Sequence, residues 1–207
     1  MKIVILFLLF LNLVPVFAQN SPEWVLVDDS KNIKLYNREM GDAGIKEVKA
    51  VATITGTVKE AVEVIFDRKN HPEIFKYIKF ADQMKKTAEC DWSYNVIDAP
   101  MASDRDYLVK SCEVKNSDGS VSVTWEPFED PKYPVNEKKV RVVINQGYWK
   151  FTQVKPDEIR VDYYIYTDPA GSLPLWIKNL ANKKAVPDAI FTVEREILKR
   201  RDSKARP

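Results

Sequence analysis

Between residues 90 and 167 the chain keeps a two-residue period, and beyond that it changes to a helical one. Trp92, Tyr94 and Val96 alternate with Asp91, Ser93 and Asn95. Tyr107, Val109 and Ser111 follow, then Val121, Val123 and Trp125, then Val140, Val142 and Ile144. The run Tyr148 to Phe151 comes next, and the stretch from Ile159 to Thr167 carries Tyr163, Tyr164 and Tyr166. Successive side chains of a strand point to opposite faces, so this alternation predicts half-buried antiparallel strands. Asp98 to Asp104 (with Pro100), Gly119, Pro131, Pro134 and Pro156 fall between the runs, where turns belong. Past Asp168-Pro169-Ala170-Gly171, Val186, Ile190, Val193 and Ile197 recur at the spacing of one helical face. Many strands closed by a single amphipathic helix predict an α+β chain, with its helices gathered on one side of a curved antiparallel sheet. A ligand site in such an architecture forms between sheet and helix.

Ahead of this region, Ile33 to Tyr36 and Ile45 to Val51 alternate as two strands around a turn at Gly41 to Gly44. Thr57-x-x-Glu60 is a capping box that opens a helix bearing Val58, Val62, Ile65 and Phe66. Asn70-His71-Pro72-Glu73 predicts a second helix start, continued by Ile74, Tyr77, Ile78 and Ala81. Pro187 predicts a kink or break between helical pieces at 178–184 and 188–199.

Met1-Lys2, the apolar run Ile3 to Val14, Pro15 and then Val16-Phe17-Ala18 have the form of an export signal cleaved after Ala18. The apolar run is shorter than the roughly 20 residues that span a bilayer, which weighs against a retained anchor. The expectation is therefore one folded domain over residues 19–207, in the periplasm or outside the cell. A net charge of +2 does not suggest a nucleic-acid partner. From Lys178 onward nine Lys/Arg face four Asp/Glu. That basic end suits either an anionic membrane surface or the negative pole of the helix itself.

Two cysteines and one histidine do not make a zinc set, and six scattered glycines do not make a phosphate cradle. His71 has no accompanying nucleophile motif, so no metal, cofactor or catalytic residue is expected, and nothing demands more than a monomer. Cys90 and Cys112 lie symmetrically about the 98–104 turn, which favours a bridge. Setting Trp92 inward places Cys90 inside and Cys112 outside, which opposes a bridge unless a bulge intervenes. Both alternatives stand at this level.

Four motifs, in order, carry a family resemblance. They are Trp24-x-x-x-x-Asp29 before Ile33-Lys34-Leu35-Tyr36, Ala99-Pro100 before Asp104-Arg105-Asp106-Tyr107, Val140-Arg141, and Asp168-Pro169-x-Gly171-x-Leu173-Pro174-x-Trp176. Together they resemble the START (steroidogenic acute regulatory-related lipid transfer) domain over nearly all of the chain beyond residue 18. The resemblance implies a helix-grip fold, a hydrophobic tunnel for one lipid, sterol or similar apolar molecule, and a movable lid made by the C-terminal helix and nearby loops. It implies non-catalytic binding or transfer with transient membrane contact. The expected lining is Trp92, Tyr94, Val109, Ser111, Val123, Trp125, Val142, Ile144 and Tyr163 from the strands, with Trp176 and Ile190 from the last helix. Sterol-binding members carry an acid–base pair in the tunnel, and here Trp92 and Ser111 fall on the corresponding stretches. Arg105 and Asp106 are expected to hold the hairpin. The alternative is a helix-grip enzyme of cyclase or hydrolase type, with Tyr164, Asp162 or Arg141 as its acid or base. A third reading is an interaction module of the cell envelope.

Overall fold

A computed structural model describes residues 22–30, 32–40, 45–99, 102–171 and 175–206, without the side chains of 45 and 175–182. The segment read as an export signal, the turn expected at 41–44 and the Trp176 side chain lie outside the described residues. Strands β1 (Val25–Ser30), β2 (Ile33–Met40) and β3 (Ile45–Thr55) come first. Helix α1 (Val58–Phe66), a single 3-10 turn (Arg68–Asn70) and the short α2 (His71–Ile74) follow. Then come β4 (Ile78–Lys86), β5 (Cys90–Ile97), β6 (Arg105–Lys115), β7 (Val121–Pro127), β8 (Val140–Arg141), β9 (Ile144–Lys155), β10 (Glu158–Asp168) and α3 (Leu175–Ala205). The sheet runs β1-β2-β3-β10-β9-β7-β6-β5-β4, with β8 beside β6. Among the described residues only the β6–β8 pairing is parallel. β1 and β4 are left as edges, so the curved sheet is not closed, and α3 lies in its concavity: the helix-grip arrangement.

The capping box forms as the sequence predicts. Thr57 N–H donates to Glu60 Oε2 at 2.9 Å, and Glu60 N–H donates to Thr57 Oγ1 at 3.3 Å. Two other expectations fail. The helix begun at Asn70 ends at Ile74, and Ile78–Lys86 is an edge strand paired with β5. The Asn70 amide donates to Asp67 instead of capping, and Phe75 is extended, so a weak helical stripe yields to the ladder that β5 offers. The break allowed at Pro187 does not occur either: α3 is continuous through it. A proline costs one backbone hydrogen bond, and packing of the flanking turns offsets it here.

That packing is the core. Val186, Ile190, Val193 and Ile197 are buried against Leu35, Val48, Ala50, Phe151, Ile159 and Val161. Each such side chain contributes roughly 1.5–3 kcal/mol by leaving water. Gly56 has φ +141°, and a Cβ there would meet Ile197 Cδ1 at 2.9 Å, so only glycine lets α3 settle onto the start of α1. Charges fasten the same end. Arg201 donates to Glu60 and Asp157 at 2.7 Å, and Arg200 to Asp67 at 2.5 Å and Glu196 at 2.8 Å. The Arg201 guanidinium holds the Glu60 carboxyl down at about 2.

Candidate functional site

The β5–β6 ladder decides which side chains reach the concavity. Asp91 pairs with Ser111, Ser93 with Val109, Asn95 with Tyr107 and Ile97 with Arg105. Ser111 continues opposite Trp125, Trp125 opposite Gly147 and Gly147 opposite Ile165, on the side where α3 packs. The concave row on β5 is therefore Asp91, Ser93 and Asn95, each at most 1% exposed.

Three elements bring their polar groups together at one end of this row. Arg68, from the 3-10 turn, donates through Nε to Asp91 Oδ1 and Oδ2 at 3.2 and 3.0 Å, and through Nη2 to Ser111 Oγ at 2.7 Å. The exposed Gln83 adds a bond to Asp91 Oδ2 at 3.2 Å. Burying two charges costs several kcal/mol per ion unless each meets its opposite with good geometry, and here the pair and its hydroxyl satisfy one another. His71 lies close by, 3% exposed, with its ring edge-on to Phe75 at 4.9 Å. Its Nε2–H donates to the Ile65 carbonyl at 3.0 Å, which leaves Nδ1 an acceptor with no partner among the described residues. Burial, helped by the Arg68 charge, pushes the imidazole down to about 3.

An aromatic wall faces this cluster. Trp149 meets Tyr163 edge-on at 4.5 Å, and Trp125 lies 5.8 Å from Tyr163. Gly147 permits that arrangement: a Cβ there would stand 2.6 Å from the Trp125 ring and 2.1 Å from the Tyr164 carbonyl oxygen. Trp125 then donates its indole N–H to Asn145 Oδ1 at 3.0 Å. Burial raises the phenols of Tyr107 and Tyr163, yet Tyr107 keeps accessible surface. The face thus joins apolar area to a few fixed polar groups, the composition that suits an apolar molecule with one polar end.

Of the expected lining residues, Val109, Ser111, Val123, Trp125 and Tyr163 are on the concave face, and Ile190 is fully buried in α3 against it. Val142 is buried just beyond β8. Ile144 shares parity with Tyr148 and Lys150, on the opposite side of β9. Trp92 and Tyr94 are also on the convex face. Trp92 packs under Lys85 and Lys110, and Tyr94 stacks on Tyr133 at 3.8 Å in a separate cluster with Val96 and Leu108. The inward expectation followed aromatic content, but a loop carrying Phe128 and Tyr133 covers the Tyr94 ring from outside, and lysine stems cover Trp92.

Asp91, not Trp92, is thus the β5 residue beside Ser111, and an acid–base pair is present with its base supplied by Arg68. Cys90 and Cys112 stand directly opposite each other on the convex face and form a disulfide, with no bulge needed. Arg105 is buried and donates to the Ser103 and Pro169 carbonyls, tying the hairpin to the β10–α3 junction. Asp106 accepts from Arg141 at 2.8 Å and from the Tyr94 hydroxyl at 3.0 Å on the convex side. The enzyme alternative loses its named groups by the same parity, since Tyr164, Asp162 and Arg141 all point away from the concavity. A cleft of about 470 Å³ opens to solvent between α1, the end of α3 and the β4–β5 turn. Glu63, Glu89, Glu113, Lys86 and Arg200 line it, so it is ill suited to an apolar guest.

No protein-family profile matches the chain. An uncharacterised protein of Pseudomonas aeruginosa is 29% identical over 162 residues, covering 76% of this chain and 78% of that one. Human START domain-containing protein 10 is 27% identical over 127 residues, 52% of this chain and 44% of the relative, so the match spans less than half of that protein. Its crystal structure superposes with a TM-score of 0.78 at 19% identity, over 87% of this chain and 75% of that one. A STAR-related lipid transfer protein of Xanthomonas axonopodis gives 0.76 at 23% identity, over 84% and 98%. The Zhui aromatase/cyclase of a Streptomyces strain gives 0.51 at 12% identity, over 74% and 94%. These likenesses establish the fold: the chain has the helix-grip fold of START-type lipid-transfer domains, which a cyclase also shares.

Proposed function

We propose that this chain is a non-catalytic carrier, exported as a monomer after loss of an 18-residue leader, that holds one lipid or other apolar molecule between the sheet and α3. The observation that carries this reading is the concave face itself. Trp125, Trp149 and Tyr163 offer apolar area, and Arg68, Asp91 and Ser111 bond to one another beside it. Each CH₂ transferred from water contributes roughly 0.8 kcal/mol, so one acyl chain drives uptake without a specific hydrogen bond.

Exchange requires the grip to open, and the fold favours one end. The C-terminal half of α3 is held by Gly56, Glu60 and Asp67. The opposite end joins β10 through Ala170 and Gly171, whose φ values of +53° and +64° are both left-handed. Such a conformation costs a non-glycine residue roughly 1–2 kcal/mol and marks a junction ready to change. Lys183 and Lys184, exposed on α3 near this end, suit an anionic membrane surface better than the paired Arg200 and Arg201 do. The test is transfer of a fluorescent acyl-chain probe between two vesicle populations. The expected result is one probe bound per chain and transfer that slows severalfold in a Lys183→Glu/Lys184→Glu variant when the vesicles are anionic. Absence of uptake would refute the carrier, and transfer indifferent to those lysines would refute the docking end.

A further inference from the structure

Beyond the Arg68 cluster, the concave row holds polar groups left without a partner among the described residues. Asn95 is 1% exposed, and its Nδ2 donates to Ser93 Oγ at 3.1 Å. Its Oδ1 is buried without a hydrogen-bond partner among the described residues. Directly across the ladder is Tyr107, whose ring faces the same concavity, keeps accessible surface, and makes no side-chain hydrogen bond among the described residues. More than nine in ten buried polar groups find a partner, so an unpaired amide beside a reachable phenol is the arrangement of a site completed from outside.

We propose that Asn95 and Tyr107 form a hydroxyl-reading subsite, and that the guest is an uncharged apolar molecule bearing an alcohol group. This rests on the carrier reading above. Ser93 serves as donor or acceptor, so rotation of the Asn95 amide exchanges an open acceptor for an open donor. An alcohol meets either orientation and also bonds the phenol, whereas an ether oxygen only accepts. Arg68 and Asp91 neutralise each other at the head of the row, so neither offers a charged end an unopposed partner. Among the described residues, Arg105 is the remaining cation of that face, and its guanidinium already donates to the Ser103 and Pro169 carbonyls at the end of the sheet.

The test compares 1-hexadecanol, its methyl ether and hexadecanoate, delivered from cyclodextrin to the full chain and followed by tryptophan fluorescence. The native chain should bind the alcohol at least tenfold more tightly than the ether and prefer it to the carboxylate. Asn95→Leu and Tyr107→Phe should each shrink the alcohol-to-ether ratio to within twofold. Tyr107→Phe removes a single oxygen and guards against a folding defect in the other variant. Asn95→Leu should also raise the melting temperature of the empty protein, because it removes the unpaired amide. Equal affinity for alcohol and ether, a preference that survives both substitutions, or tighter binding of hexadecanoate would overturn the subsite. If the chains bind without preference, the carrier stands and only this inference falls; if none of the three binds, the carrier falls and takes the subsite with it.

Discussion

Single side chains in this protein matter most where charge is buried. Asp91 is fully buried and, among the described residues, is the one carboxylate that Arg68 meets in a bond. Truncating one member of such a pair leaves an unopposed buried charge, so Asp91→Ala should cost about 3–5 kcal/mol in urea unfolding. Removing both charges, as Arg68→Met with Asp91→Leu, should return most of that loss, because the pair had to be desolvated in the first place. His71 gives a pH signature. Its folded value lies near 3, below the ordinary 6.5, so the unfolded chain takes up a proton before the native one does. The stability it supports is complete above pH 6.5 and drains away as pH falls toward 3. A His71→Phe variant followed by urea unfolding across that range should show a flatter decline than the native chain. An equally steep decline would mean that other groups govern acid unfolding.

At the scale of elements, much was legible in the sequence and the misses have physical causes. Strand alternation, the Thr57–Glu60 box and the Val186 to Ile197 face predicted the long antiparallel sheet, α1 and the gripping helix, because each pattern records which side of an element meets the core. The β5 face could not be read from content, since its convex side carries the aromatics and its concave side carries Asp91, Ser93 and Asn95. The cysteines held the missing signal. Setting Cys90 opposite Cys112 makes residues of equal parity face each other and puts Asp91 beside Ser111. Arg68 was out of reach because its partners lie 23 and 43 residues ahead, on strands that pairing alone brings together. The disulfide backs that cluster from the other side of the same ladder. Opening its loop, 22 residues apart in sequence, should lower stability by about 3 kcal/mol in unfolding with reductant present. Binding selectivity should loosen with it, since Asp91 and Ser111 are the adjacent rung.

For the whole molecule, the ion pairs fasten the C-terminal half of α3, and the opening proposed above is at its other end. The sheet and the C-terminal half of α3 share a core and a set of ion pairs, while the β10–α3 junction depends on two left-handed residues and the Arg105 bonds. A curved wall turns its apolar and neutralised polar parts toward the helix, and the proposed function stands on that face holding a guest. Native mass spectrometry of the protein purified from its own cells, followed by organic extraction, tests this most directly. The account predicts one apolar molecule per chain, uncharged and hydroxylated, released when the protein is denatured. A chain that arrives empty and takes up nothing from vesicles would contradict it.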